Sequence, residues 1–362
     1  MKKLILLSVL SSILLMSCAK EENESIDAVQ DRLLKSYITV VHLDTLQPTA
    51  LGYYVIKISE GTGASPKIGD WVRWDQVQRS LDETVITVTE KADAIQYGQY
   101  NANMQTVHYV PNYGYVDENY IARCLADIFP QMKTGAKYRL FVPARLMSPK
   151  GSSIQSGYQS YIFDIILREV ITDPLQCELD QITDYRDLFY SEIADSLQYG
   201  LYYKTIYIAP DTVWQADSLG VFQPIEKDTT SVVDGKKAHV TYVGRFLDGF
   251  VFDTNIIDSA KAHNIYDPSR SYDTLMVNVG NVGDSGVGVV AGFEKIVRQL
   301  KSGDKGIGFF ISELGYGVYG SGSATGGYDI YGNPQQQTTT STIIQPHTPL
   351  FFEVHLHKIT NY

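Results

Sequence analysis

The most regular hydrophobic pattern lies in the last third of the chain. Val240-Thr241-Tyr242-Val243 alternates as a half-buried strand does, and Asp248-Gly249 supplies the positive φ that a tight hairpin turn needs. From there the apolar residues Phe293, Ile296, Val297 and Leu300 fall on one face of a short helix, with Gly303 placed to end it. Leu350, Phe352, Val354 and Leu356 then alternate with Phe351, Glu353, His355 and His357, a strand with one face on a core and the other mostly in water. The pattern predicts an α+β unit, a curved antiparallel sheet wrapped around one helix. Residues 24–34 and 180–197 read as further helices that lead into the two halves of the chain, the second doubling as a linker.

Five ordered segments of this unit are Val240-Thr241-Tyr242-Val243-Gly244, Asp248-Gly249-Phe250-Val251-Phe252-Asp253, Val289-Val290-Ala291-Gly292-Phe293, Tyr316-Gly317, and Ile344-Gln345-Pro346 followed by Leu350-Phe351-Phe352. Together they resemble the FKBP-type peptidyl-prolyl cis-trans isomerases, and an ordered set is far more specific than any one short motif. The resemblance implies rotation about the bond before proline. By position it implies catalytic roles for Tyr242, Phe252, Asp253, Tyr316 and Phe352, and substrate binding by Val290, Phe293 and Ile344. It implies no metal and no cofactor, since the reaction breaks no bond; its partners would be proline-containing polypeptides. Phe293 would be the floor under the prolyl ring, Tyr242, Phe252 and Phe352 the walls, and Tyr316 a hydrogen-bond donor to a substrate carbonyl, with Asp253 orienting from the rim. Taken singly, each of these aromatics reads as core; together and in order they read as a pocket. The sequence departs from the family pattern in two places. Phe293 stands where the best-known members have tryptophan, and residues 318–342, rich in Gly, Ser, Gln and Thr, replace a short loop, as a lid or a disordered insertion.

The plan occurs twice. Residues 161–167 repeat the pattern of 350–356, residues 81–87 answer 247–253, and Met132-Lys133-Thr134-Gly135 answers Leu300-Lys301-Ser302-Gly303. Gly303 follows Gly135 by 168 residues and Phe352 follows Phe163 by 189, so the second copy is longer by 21 in between. The lead-in Gly52-Tyr53-Tyr54 is set against Leu201-Tyr202-Tyr203. Such doubling predicts two FKBP-like domains, 51–172 and 200–362, joined by a helical linker over 173–199. The first copy has lost the pocket residues: Gln76 stands for Tyr242, Ile86 for Phe252, Thr87 for Asp253, Leu125 for Phe293 and Ser148 for Tyr316. It is expected to be non-catalytic. Tyr97, Tyr100, Tyr109, Tyr113 and Tyr115 in its long excursion read either as a binding or dimerisation platform or as a loop packed on its own sheet.

Lys2-Lys3, an apolar run over residues 4–16 and Leu15-Met16-Ser17-Cys18 resemble a lipoprotein signal peptide over 1–17. The resemblance implies lipidation of Cys18, a tether and lead-in helix over 18–50, and a lipid-anchored place in the cell envelope at the outer membrane. The charged Lys20-Glu21-Glu22-Asn23-Glu24 resembles the tether of surface-exposed Bacteroidetes-type lipoproteins. Over 362 residues the net charge is −11, with 44% hydrophobic residues, which fits an acidic globular body and argues against nucleic acid as a partner. Beyond Cys18, Cys124 and Cys177 read as free or buried thiols, with a disulfide between them also open. His355 and His357 share one strand face, a spacing that an exposed face explains better than a metal site. Two functions from different classes remain: a prolyl isomerase that assists folding of exported proteins, and a non-catalytic surface lipoprotein that uses FKBP-like scaffolds to bind protein.

Overall fold

The computed structural model describes residues 24–100, 107–151, 159–216, 218, 220–280, 289–321 and 344–361. Cys18 and most of the 318–342 segment therefore lie outside the described residues. The first half comprises helix α1 (Ile26–Val40), strands β1 (Tyr54–Ser59), β2 (Trp71–Ser80) and β3 (Val85–Val88), and helix α2 (Lys91–Gln96). Strand β4 (Asn112–Tyr115), helix α3 (Arg123–Ile128), and strands β5 (Lys137–Val142) and β6 (Tyr161–Ile171) complete it. The second half begins with helix α4 (Pro174–Phe189) and strand β7 (Leu201–Tyr207), then a separate hairpin of β8 (Thr212–Ala216) and β9 (Phe222–Glu226). Strands β10 (Lys236–Phe246) and β11 (Val251–Thr254), helix α5 (Ile257–Ala262), strand β12 (Leu275–Asn278), helix α6 (Ala291–Val297), and strands β13 (Lys305–Phe310) and β14 (Leu350–Asn361) follow.

The doubling is a property of the hydrogen-bonded ladder as well as of the sequence. The first sheet runs β1-β5-β6-β2-β3 with β4 also on β2, and the second runs β7-β13-β14-β10-β11 with β12 also on β10, all antiparallel. Gln76 stands opposite Ile165 and Tyr242 opposite Val354, so the two registers coincide. One expectation is corrected by a single residue. Tyr54 faces Phe141 while Tyr202 faces Phe309, which sets Gly52-Tyr53-Tyr54 against Gly200-Leu201-Tyr202. A slip of one residue would exchange the two faces of the strand, and both glycines enter it at positive φ, 93° and 73°. Both copies share one plan, a curved antiparallel sheet wrapped around one short helix, α3 or α6.

Each sheet is covered on both faces. The inner face of the first buries Val72, Trp74, Leu140, Phe163 and Ile165 against Leu125, Ile128 and Phe129 of the α3 region. That of the second buries Val240, Tyr242, Phe352, Val354 and Leu356 against Phe293, Ile296, Val297 and Leu300. The outer faces are covered by the lead-in helices. Leu34 and Ile38 of α1 pack on Tyr54, Phe141 and Ile162, and Ile182 of α4 packs on Ile307, Phe309 and Phe351. The two outer faces carry matching ion pairs, Arg79 with Asp164 and Arg245 with Glu353.

The helix bounds differ from those read in the sequence. Helix α1 runs on to Val40 because Leu34 and Ile38 continue its buried stripe, and the Ser25 hydroxyl caps its start by accepting from the Ala28 N–H at 3.2 Å. Helix α4 spans Pro174–Phe189 rather than 180–197. Asp173 caps it by accepting from the Gln176 N–H at 3.0 Å, and Pro174 supplies a helical φ in the first turn. It stops early because the chain turns at Tyr190 and folds Ile193 back into the outer-face cluster. The tyrosines of the long excursion pack on their own domain: Tyr113 and Tyr115 on Trp71, Tyr109 on Tyr100, and Tyr97 at hydrogen-bond distance from Arg79. Cys124 is buried, which pushes its thiol up to about 12, and Cys177 is a half-buried free thiol whose Sγ accepts from Gln181 at 3.1 Å. No helix among the described residues is long and apolar enough to cross a membrane.

His355 and His357 stand with ring centroids 4.0 Å apart, and His357 Nε2 lies 2.9 Å from the Thr241 hydroxyl. Burial, then the neighbouring His357 and Lys305, push His355 down from 6.5 to about 4, and burial lowers His357 as well. Between those two values the unfolded chain binds protons that the folded chain refuses, so stability is full above about pH 6.5 and falls as pH drops toward 4. Allowing for solvent screening of a half-buried ring, the loss should be on the order of 1–2 kcal/mol. Urea unfolding at about pH 7 and about pH 5 measures it, and His355→Gln should flatten the difference.

Candidate functional site

The site is built on the inner face of the second sheet, where Phe352 of β14 pairs with Gly244 of β10 on one side and Gly308 of β13 on the other. The two glycines serve different neighbours: a Cβ at Gly308 would stand 2.5 Å from the Ile296 side chain of α6, whereas Gly244 leaves room for rings. At Gly244 the reason is specific. A Cβ there would stand 2.8 Å from the Phe352 ring and 2.9 Å from the Phe252 ring, closer than real side-chain contacts allow. The Gly in Val240-Thr241-Tyr242-Val243-Gly244 is therefore required by the two aromatic rings that meet over it.

Four rings close the apolar part. Phe293 from α6 meets Phe352 edge-to-face at 5.0 Å and Tyr242 at 5.4 Å, and Phe252 meets Phe352 at 5.7 Å with the planes at 90°. Edge-to-face pairing sets the positive rim of one ring against the negative face of the next, which favours this arrangement over a stacked sandwich. All four are buried, as is Ile344, while Val290, the residue that caps α6, is half-buried against the same cluster. Beneath them Phe310 stacks on Phe352 at 5.9 Å.

The edge of this cluster is polar. The Tyr242 hydroxyl donates to Asp253 Oδ2 at 2.5 Å, Arg270 pairs with the other Asp253 oxygen, and a second Arg270 nitrogen lies 3.2 Å from the Tyr242 hydroxyl. Burial and the adjacent Asp253 raise the Tyr242 pKa well above that of a free tyrosine. For Arg270, burial works against the charge, but the Asp253 carboxylate outweighs it and holds the guanidinium above its usual range. Tyr316 sits at the rim, 39% exposed, its pKa raised by partial burial and then by Asp253. Both hydroxyls therefore remain protonated donors at neutral pH.

The structure thus gathers Tyr242, Phe252, Phe293, Ile344 and Phe352 into one cluster, lays Val290 against it, and puts Asp253 and Tyr316 at its edge. Arg270 was not anticipated. It lies in an irregular stretch between α5 and β12 where no periodicity or turn signal marks a residue, and only the fold brings it to Asp253. In the first domain the same positions do something else. Gln76 accepts from the Trp74 indole at 3.0 Å, Ile86 is 41% exposed, and Ser148 is buried. Trp74, in the place of Val240, fills the first core and packs 5.2 Å from Phe129.

The profile of the FKBP-type peptidyl-prolyl cis-trans isomerase family matches residues 228–357. No curated protein matches the chain. Similar solved structures include the three FKBP domains of wheat FKBP73, at 16% identity and a TM-score of 0.26 over 86% of this chain and 96% of that one. A peptidyl-prolyl cis-trans isomerase from Pseudomonas syringae pv. tomato is similar at 17% identity and a TM-score of 0.29, over 40% of this chain and 94% of that one. FkpA from Escherichia coli is similar at 15% identity and a TM-score of 0.30, over 47% and 71% respectively.

Gly244→Ala should push the Phe252 and Phe352 rings apart and cost about 1–3 kcal/mol, the usual penalty of overpacking. Chemical denaturation of the variant measures it, and a neutral result would mean that the rings do not meet over this glycine.

Proposed function

We propose a site and a role for a chain whose residues 228–357 belong to the FKBP-type peptidyl-prolyl cis-trans isomerases: the pocket lined by Tyr242, Phe252, Phe293 and Phe352 catalyses prolyl isomerisation. The observation that carries this reading is the closed set of edge-to-face rings with one charged network, Tyr242–Asp253–Arg270, at its border.

Rotation about an X-Pro bond passes through a twisted amide that has lost its resonance, at a barrier of about 18–20 kcal/mol. The twisted amide is less polar than the planar one. An apolar, water-poor site prefers it, and every tenfold in rate needs only about 1.4 kcal/mol of that preference. Phe293 forms the floor under the prolyl ring, while Tyr242, Phe252 and Phe352 form its walls. Tyr316, a protonated donor at the rim, holds a substrate carbonyl so that the rotating bond is oriented. Arg270 and Tyr242 fix the Asp253 carboxylate, which orients the substrate from the border without taking a proton. Val290 and Ile344 contact the residues that flank proline. Phe293 keeps an apolar floor with a smaller ring than the family's tryptophan, which suits a shallower grip on substrate.

The substrates in this reading are proline-containing polypeptides, and the setting is the cell envelope. The segment Leu15-Met16-Ser17-Cys18 after an apolar run supports acylation of Cys18 and anchoring at the outer membrane, with the acidic tether extending the body toward the cell surface. Exported chains fold there, and uncatalysed proline isomerisation takes tens of seconds or longer, which gives such an enzyme a task.

The test is a fluorescence assay of X-Pro isomerisation on the soluble body. Phe252→Ala should lower kcat/KM by about 10–100-fold, and Tyr316→Phe by about 3–10-fold, the worth of one hydrogen bond. Asp253→Ala, which leaves Arg270 without its carboxylate, should cost about tenfold. Leu125→Ala in the first domain should cost about 2–5 kcal/mol of stability and leave turnover unchanged. No acceleration by the wild type across a range of residues before proline would favour the alternative, a binding protein built on FKBP scaffolds.

A further inference from the structure

Among the described residues the first domain touches the second at two places, and both adjoin the proposed pocket. At the first, His108 leaves the tyrosine-rich excursion and stacks on Phe246 at 4.6 Å with the rings 8° apart. It packs against Phe250 at 4.5 Å, and its Nε2 lies 2.6 Å from Asp248 Oδ2. Burial alone would raise the Asp248 pKa; the bond to His108 and the Phe250 N–H hold it below its usual range. Phe246 in turn lies 5.0 Å from Phe252, a wall of the pocket. At the second place, His347 sets its ring against Trp71 at 4.9 Å and 75°, with Tyr113 at 5.9 Å. Gln345 donates to the Pro111 carbonyl at 3.1 Å. The His347 N–H donates to the Gly317 carbonyl beside Tyr316, and Ile344 of the pocket is three residues upstream.

Linker helix α4 reinforces the second contact. Its buried Glu178 lies 3.1 Å from His347 Nδ1 and accepts from the backbone N–H and hydroxyl of Ser312, at the start of the turn that ends in Tyr316. His108, Pro111 and Tyr113 thus span, within six residues of the first domain, both the Asp248-Gly249 hairpin and the Ile344-Gln345-Pro346-His347 loop. The two loops hold opposite pieces of the pocket, Phe252 behind one and Ile344 with Tyr316 behind the other. A loop pinned at its tip reaches the bound conformation with less loss of entropy, so affinity for substrate rises with the strength of the grip.

We propose that the first domain, having lost its own pocket, serves as a clamp on the pocket of the second, with His108, Trp71 and Tyr113 as positioning residues for substrate binding. This rests on the isomerase reading of the second domain. It also gives part of the excursion in the first copy a role: His108 and Pro111 reach the neighbour, while Tyr97 and Tyr115 hold to Arg79 and Trp71 of the first sheet.

The experiment compares wild type with His108→Ala, Trp71→Ala, His108→Phe and Trp71→Phe in the full soluble body, by steady-state kinetics on an X-Pro peptide and by hydrogen exchange at residues 246–250 and 344–348. The alanine variants should raise KM about 3–10-fold with kcat unchanged and speed exchange at both loops; the phenylalanine variants, which keep a ring in place, should restore both. Unchanged exchange in folded alanine variants, or faster exchange with unchanged KM, overturns the clamp. A wild type without turnover overturns the isomerase reading instead, and the exchange data then report separately whether the first domain grips the two loops.

Discussion

The second domain depends on the packing of one ring on another, Phe293 of a seven-residue helix against Phe352 of the last strand, with centroids 5.0 Å apart. A helix of two turns has little stability of its own, so it exists because its apolar face is buried against the sheet. The glycines flanking Phe352 in the register make the fit possible: Gly244 leaves room for the Phe352 ring, and Gly308 leaves room for Ile296 of the same helix. The contact that docks the helix is also the proposed base of the pocket, which ties integrity of the fold to availability of the site. Evolution of such a pocket is constrained from both sides, since any ring large enough to grip proline must also fit the helix-to-sheet gap.

The two halves keep one scaffold and fill it differently. Strand order and register coincide, and even a supporting polar contact persists. Asn255 accepts from the Tyr242 N–H at 2.8 Å, and Thr89 accepts from the Gln76 N–H at 2.9 Å. What changed is where the volume sits. In the first domain Trp74 brings its indole into the core and engages Gln76, while Leu125 takes the place of Phe293. The first inner face is thus filled from the strand, and the second by rings that strands and helix contribute together.

Most of the second domain could be read from the chain because its signals are local. Alternation in 350–356, the Asp248-Gly249 turn and the helical spacing from Phe293 each report one element, and their order reports the fold. The doubled plan was legible for the same reason, apart from the one-residue slip at Gly200, where two adjacent aromatics in each copy offered equally good matches and only the ladder decided. The start of α4 is marked locally by Asp173-Pro174, a cap and a first-turn proline, a signal that the spacing of apolar residues over 180–197 does not contain. Arg270 and the contacts of His108 and His347 were not legible, because each depends on segments far apart in sequence that meet only once both sheets have formed. The lead-in helices were visible as helices; that they cover the outer faces was not, since Phe351 reads as the water side of its strand until a helix is laid on it.

The central claim is that the second domain speeds rotation about a prolyl bond. Two-dimensional NMR exchange spectroscopy on an X-Pro tetrapeptide with a catalytic amount of the soluble body tests it without any coupling enzyme. Uncatalysed exchange takes tens of seconds or longer. The account predicts cis–trans cross-peaks within a mixing time on the order of a second. Their absence, with the protein folded and the peptide in excess, would contradict it.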